Sequence, residues 1–329
     1  MKHLNFLFPV LLLLGAGCVQ TSTPAEDTAQ DVADETVLVQ RQPESSTAPS
    51  TQQGPYRDSV WLARSSDGET WSLDDEVLIE HASVPNITRF ETEVGDFEAG
   101  TLMIVYVDAT QMATGGSGTE RTGRYVSTDD GVTWEDIGLV TYVGAQDQVP
   151  VDPNLVQLQD GTLRMYYYDI SKGVGDVGSL EQKKQNRFYA ADSTDGETFT
   201  VVGEVFVENA ITDPEVVFYK DSFYLFYASQ TGIRVAVGDE DGLSFTETDI
   251  TDELDGIPGV IVVDEKLRLF GCVINEGIVY YTSDESLDFS APSSLGSAFR
   301  GGFCDPDPVE LEDGSFLLVV KKLPEPTRR

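Results

Sequence analysis

Val149-Pro150-Val151-Asp152-Pro153-Asn154-Leu155-Val156-Gln157-Leu158 is an extended apolar run; Gln159-Asp160-Gly161-Thr162 follows it, and Leu163-Arg164-Met165-Tyr166-Tyr167-Tyr168-Asp169 comes next. Asp-Gly between two β-rich runs is the strongest short-range signal for a hairpin. After a long polar loop a third run, Arg187-Phe188-Tyr189-Ala190-Ala191, leads into Ser193-Thr194-Asp195-Gly196-Glu197-Thr198-Phe199, a tight acidic turn closing on an aromatic. The unit Val149–Phe199 therefore predicts four antiparallel strands.

The acidic turn recurs. It stands as Ser65–Trp71 and Ser127–Trp134, then decays to Asp239–Phe245 and Ser283–Phe289, and its closing aromatics lie 63, 65, 46 and 44 residues apart. Periods of this size in a β-rich chain mean propeller blades. The opening strand recurs too, marked by Pro85, Pro153, Pro214, Pro258 and Pro306. The two series are out of phase at the ends: the chain starts with a turn lacking its first hairpin and finishes with a hairpin, Asp305–Lys322, lacking its turn. Joining the halves predicts an all-β, five-bladed β-propeller over residues 55–329, with blade 1 closed by N- and C-terminal strands.

Of 329 residues, 40% are hydrophobic, ample for such a core; 57 acidic against 21 basic residues give a formal net charge of −36. That field repels nucleic acid and anionic lipid headgroups. A closed ring of this size is expected to be a monomer.

The N-terminus reads as a leader. Lys2 and His3 precede an apolar run, Leu4–Leu14, then Gly15-Ala16-Gly17-Cys18. The run is too short to span a bilayer, and small residues follow it. It resembles a bacterial lipoprotein signal over residues 1–18, with Gly15 where that signal usually has Leu. The resemblance implies lipidation of Cys18, a bilayer anchor and a place in the bacterial cell envelope. Residues 19–54, rich in Ser, Thr, Gln, Pro and acids, predict a disordered tether. With Cys18 lipidated, Cys272 and Cys304 remain as one disulfide or two buried thiols.

The inner strand of each blade lines the central channel, so the prolines mark the mouth of a funnel. The residues before them are Val84, Asp152, Asp213, Ile257 and Asp305; those after are Asn86, Asn154, Glu215, Gly259 and Asp307. Blade 5 alone contributes no polar group. A lone Asp-Pro is ordinary turn chemistry. Three at equivalent positions of one channel crowd carboxylates, which raises some of their pKa values, as glycoside hydrolysis requires. Asp108 and Asp169, ending second strands, lie on the same face. Two long Gly-containing loops, Asp108–Arg124 and Ile170–Arg187, rim it with Arg121, Arg124, Lys172, Lys183, Lys184 and Arg187. The acidic channel also admits a structural Ca2+.

The Ser-x-Asp-x-Gly-x-Thr-Trp pattern resembles the Asp box (BNR repeat) of sialidases and other propellers, a structural motif. The sialidase family also uses an arginine triad, which the spacing of Arg89, Arg164, Arg234, Arg268 and Arg300 does not supply; Arg89 stands as a candidate substrate contact. Five blades with Val-Asp152-Pro, Thr-Asp213-Pro and Cys-Asp305-Pro look like the arabinanase, xylosidase and invertase superfamily of glycosidases. That resemblance implies a carbohydrate ligand and catalytic roles for Asp152, Asp213 and Asp305, with Glu215 assisting and Asn86, Asn154, Asp307, Asp108 and Asp169 contacting substrate. Asp152-Pro153-Asn154 is similar to the invertase nucleophile motif and Asp213-Pro214 to the stabiliser. The family's separate Glu acid motif is absent here. The expected function is therefore a cell-surface propeller that hydrolyses or binds a glycoside at its funnel; the alternative is a non-catalytic module that binds a glycan or a protein.

Overall fold

The computed structural model describes residues 54–115, 118–172, 185–250, 254–273 and 276–324. The leader, Cys18, the tether as far as residue 53, Lys183 and Lys184 lie outside the described residues. Strands β1 (Ser59–Ser65) and β2 (Ser72–Glu80) open the chain. Blade 2 is β3 (Ala82–Arg89), β4 (Leu102–Asp108), β5 (Arg121–Ser127) and β6 (Glu135–Leu139). After the short β7 (Thr141–Val143), blade 3 is β8 (Pro150–Gln157), β9 (Leu163–Asp169), β10 (Gln185–Ser193) and β11 (Thr198–Asn209). Blade 4 is β12 (Thr212–Tyr219), β13 (Ser222–Ser229), β14 (Gly232–Gly238) and β15 (Phe245–Glu247); blade 5 is β16 (Gly259–Val263), β17 (Lys266–Val273), β18 (Gly277–Thr282) and β19 (Ser293–Ser294). β20 (Phe303–Glu310) and β21 (Phe316–Lys322) then return to the first strands, in the order β2-β1-β21-β20.

The molecule is thus a five-bladed propeller whose first blade comes from both chain ends. β1 and β21 pair from Ser59↔Lys322 to Ser65↔Phe316 without a register break, so ring closure uses a full antiparallel ladder. Cys272 on β17 is bonded to Cys304 on β20, with Cα atoms 5.0 Å apart, and staples blade 5 to the inner strand of blade 1.

Second strands β4 and β9 are buried at every residue because each lies between two neighbouring blades. Period-two alternation divides their side chains between the two seams. Leu102, Ile104 and Tyr106 pack on Leu317 and Val319 of blade 1, whereas Met103 and Val105 pack on Met165 and Tyr167 of blade 3. Tyr166 and Tyr168 turn to Leu225 and Tyr227 of blade 4, Phe226 meets Leu269 of blade 5, and Phe270 meets Leu318 of blade 1. A continuous apolar strand, rather than an alternating one, is the outcome of burial on both faces.

The acidic turns connect third and outer strands on the face away from the funnel. Asp67 Oδ1 accepts the Glu69 and Thr70 N–H groups at 2.8 and 2.7 Å, and Asp195 Oδ1 accepts those of Glu197 and Thr198, each at 2.8 Å. The decayed turns keep the acceptor: Asp239 takes the Leu243 N–H and Asp284 those of Ser286 and Asp288. Gly131, at φ 74°, occupies the left-handed region that Gly enters freely.

One element departs from the four-strand expectation. β7 pairs parallel with β11 at the outer edge of blade 3, and Tyr142 seats it against Tyr167 and Phe199. It covers a sheet edge that would otherwise be open.

Candidate functional site

The inner strands carry a shared irregularity. Register breaks between Ser83 and Asn86, Val151 and Asn154, Thr212 and Glu215, and Cys304 and Asp307. Each break is an X-Pro pair, and the residue before proline is left-handed: φ is 45° at Val84, 50° at Asp152, 53° at Asp213 and 47° at Asp305. Such a bulge re-aims a side chain at a cost of about 1–3 kcal/mol per strained residue. Asp tolerates this conformation better than a β-branched Val. In blade 5, Ile257-Pro258 stands just before β16, outside the strand. The X-Pro pairs of all five blades, with Asn86, Glu215 and Asp307, line one axial cavity of about 20 Å3, room for about one water.

The residues after the prolines form a belt around the axis. Asn86 Oδ1 accepts the Leu155 N–H at 2.8 Å, Asn154 Oδ1 the Val216 N–H at 3.0 Å, and Glu215 Oε1 the Val260 N–H at 3.4 Å. Asp307 Oδ2 accepts the Ile87 N–H. Each side chain thus satisfies the backbone of the next blade, one residue past that blade's own belt position. The single gap falls where Gly259 has no side chain and the matching residue, Pro308, has no N–H. The free amides face the acids: Asn154 Nδ2 donates to Glu215 at 2.8 Å and Asn86 Nδ2 to Asp307 at 2.8 Å. All four side chains are buried. Burial pushes Asp307 up to about 8, and burial together with the Asp307 charge pushes Glu215 well above the usual carboxylate range. Asn86, Asn154 and Asp307 were expected to meet substrate and Glu215 to assist catalysis; the geometry engages all four in an inter-blade structural task.

Above the belt, the pre-proline aspartates meet a lysine. Lys321, near the end of β21, pairs with Asp305. Burial alone would lower its pKa, but Asp305, Asp213 and Asp58 outweigh burial and hold it charged. Asp58 is itself raised, by burial first, with Lys321 and the Ser83 hydroxyl at 3.0 Å opposing. Asp213 accepts the Thr212 hydroxyl at 2.6 Å; burial and the Asp305 charge push it up to about 6. Asp152 rises well above the ordinary value through burial, then through Asp213, Asp305 and Glu120. Asp152 and Asp213 thus form one buried, mutually repelling set in which both carboxyls lie above their ordinary value. Asp152 and Asp213 both retain partial exposure.

Lys321, Asp58 and Glu120 escaped the sequence reading, although Lys321 had a signal. In the second strands it stands where Val107 and Tyr168 stand, opposite the residue two before the proline. A lysine in that apolar column is anomalous. The expected calcium ion does not fit this axis: the Lys321 ammonium already pairs with Asp305 and its charge offsets those of Asp213 and Asp58, and amide N–H groups face the lower carboxylates.

Asp108 and Asp169 do reach the mouth side but hold loops there. Asp108 pairs with Arg121 at 2.6 Å and accepts the Thr110 hydroxyl; Asp169 Oδ1 accepts the Val149 and Ser171 N–H groups at 3.0 and 2.9 Å. Arg124, read as a loop cation, is buried on β5 and donates to the Gly196 carbonyl of blade 3 at 2.8 Å. Arg89 is not brought to the group. It ends β3 at the opposite face, 3.8 Å from Glu91.

No protein-family model matches the chain, and no curated protein sequence does. Solved structures do. A GH43_1 enzyme from Xanthomonas citri superposes with a TM-score of 0.53 at 14% identity, covering 74% of this chain and 87% of that one. The same enzyme complexed with xylotriose gives 0.52 at 14% identity, covering 74% and 86%. A Dyadobacter fermentans protein of unknown function gives 0.52 at 13%, covering 81% and 84%. At this identity the likeness shows the fold, a propeller of the kind found among glycoside hydrolases.

Proposed function

We propose that the chain is a glycan-active propeller that binds and hydrolyses a glycoside at its funnel. The supporting observation is the mouth itself: Asp152, Asp213 and Asp305 are presented on strained left-handed bulges around one axis, where burial and neighbouring carboxylate charge raise Asp152 and Asp213 above the ordinary value. Carboxyls raised in this way are what glycoside chemistry uses. Lys321 pairs with Asp305 and brings a counter-charge to the carboxylates of the mouth. The GH43_1 neighbour carries xylotriose in its structure, which makes pentose oligosaccharides the first compounds to test.

The test is a screen of xylo- and arabino-oligosaccharides against the purified protein, recording binding and reducing-sugar release beside an Asp152→Asn, Asp213→Asn double variant. Release that is lost in the variant is expected. Binding without release would favour a lectin-like module, a reading helped by the engagement of Glu215 and Asp307 in the belt. Neither, across the panel, would sink the glycan reading. We also infer that Cys18 carries lipid and anchors the protein in a bacterial envelope, with residues 19–54 as the tether. Recovery in the membrane fraction, lost on Cys18→Ser, checks this.

A further inference from the structure

Beside the funnel mouth, between blades 2 and 3, lies a second hollow of about 250 Å3. Glu120, Arg121 and Thr122, at the start of β5, form one wall, and Gln146 to Pro150, leading into β8, form the other. Pro150 is two residues from Asp152, so the hollow adjoins the proposed site. The axis has room for about one water, whereas this space, somewhat below the ~300–1,000 Å3 of drug-sized ligand sites, suits a single sugar ring.

Glu120 is the acid in this hollow. It makes no ion pair among the described residues, because the adjacent Arg121 is turned to Asp108 at 2.6 Å. The Tyr142 hydroxyl, 3.1 Å from the Thr122 hydroxyl, lines the same hollow, and the Glu120 charge reaches Asp152 across the blade seam. Burial lifts the Glu120 carboxyl above its ordinary value, and its charge is one of those that raise Asp152. Glu120 comes from blade 2 and Asp152 from the neighbouring blade 3. Glu215, by contrast, sits in the belt beside an axial cavity with room for about one water.

We propose that this hollow is the subsite for the sugar that departs on glycoside cleavage and that Glu120 is its proton donor. The inference rests on the glycoside reading and names the second carboxyl that such chemistry requires. In the step, Glu120 gives its proton to the glycosidic oxygen as the bond from that oxygen to the anomeric carbon breaks. The bonding pair stays with the oxygen, which leaves as a hydroxyl. Water adds to the anomeric carbon and passes its proton to Asp213. One water is consumed, and the two carboxyls exchange protons with solvent before the next cycle.

The experiment compares the full-length protein, Glu120→Gln and Ala145→Phe, the last filling the hollow that Ala145 lines. Calorimetry with xylose, xylobiose and arabinobiose reads the subsite; hydrolysis of those disaccharides and of nitrophenyl pentosides with acidic and weakly acidic phenols reads the proton. Disaccharides should bind the parent more tightly than xylose, and Ala145→Phe should abolish that increment while keeping xylose. Glu120→Gln should lower disaccharide turnover about a hundredfold. It should spare pentosides of acidic phenols, which leave without protonation, and erase the alkaline limb of the pH profile. Equal loss on every substrate, or an increment that survives the filled hollow, would overturn the proposal and leave the glycoside reading intact. A parent that neither binds nor cleaves any of these sugars would end both.

Discussion

Gly259→Ala should unfold the ring at its seam, at a cost of about 4 kcal/mol or more, the range reserved for a named packing failure. A Cβ built on Gly259 would lie 1.7 Å from the Pro306 carbonyl oxygen, 2.8 Å from its carbon and 3.1 Å from Asp307 Cα. These are backbone atoms of the inner strand of blade 1, so no rotamer change relieves the clash; β16 and β20 must separate. Overpacking against side chains costs about 1–3 kcal/mol, and a backbone obstacle costs more. A typical domain holds only about 5–15 kcal/mol in reserve. Gly203→Ala serves as the control, because a Cβ there meets nothing within 4 Å. Denaturant unfolding of both variants decides the matter. A Gly259→Ala midpoint indistinguishable from that of Gly203→Ala would refute the account.

The same position explains what the sequence could and could not convey. Repeat phase alone implied five blades and a ring closed by both ends, because the acidic turns and prolines recur at fixed places and each has a local physical cause. The polarity of the funnel column was equally readable: Asp152, Asp213 and Asp305 could be aligned by counting from prolines. What counting could not show was which of two adjacent polar residues faces the open mouth. The X-Pro bulge inverts the naive alternation, sending the pre-proline aspartates upward and turning Asn86, Asn154, Glu215 and Asp307 into the belt. The apparent vacancy of blade 5 was a packing requirement, not a missing function. Lys321 and Glu120 were hidden for another reason. Their contacts cross blade seams between residues far apart in the chain; the lysine in an apolar column marks Lys321 only once the second strands are aligned, and Glu120 carries no such mark.

Lys321→Met should destabilise the protein by about 3–5 kcal/mol near neutral pH, the cost of leaving a buried charge without its partner. The ammonium is 13% exposed and Asp305 3%, so water cannot replace the ion pair. The loss extends past one contact, since the same cation also opposes burial and repulsion at Asp213 and Asp58. Two further measurements separate this cause from simple loss of packing. The difference between parent and variant should shrink as pH falls, because acid neutralises the stranded carboxylates. The sign follows from linkage: carboxyls raised in the folded variant bind more protons than in the unfolded chain, so its stability declines as pH rises between the two values. Second, Lys321→Met combined with Asp305→Asn should recover at least half of the loss, as a neutral pair needs no counter-charge, and the double-mutant cycle gives the coupling directly. A penalty that is independent of pH and unrelieved in the double variant would mean that Lys321 contributes through its methylene stem alone. In that case Asp305 would have to be regarded as a free carboxyl of the mouth, alongside Asp152 and Asp213.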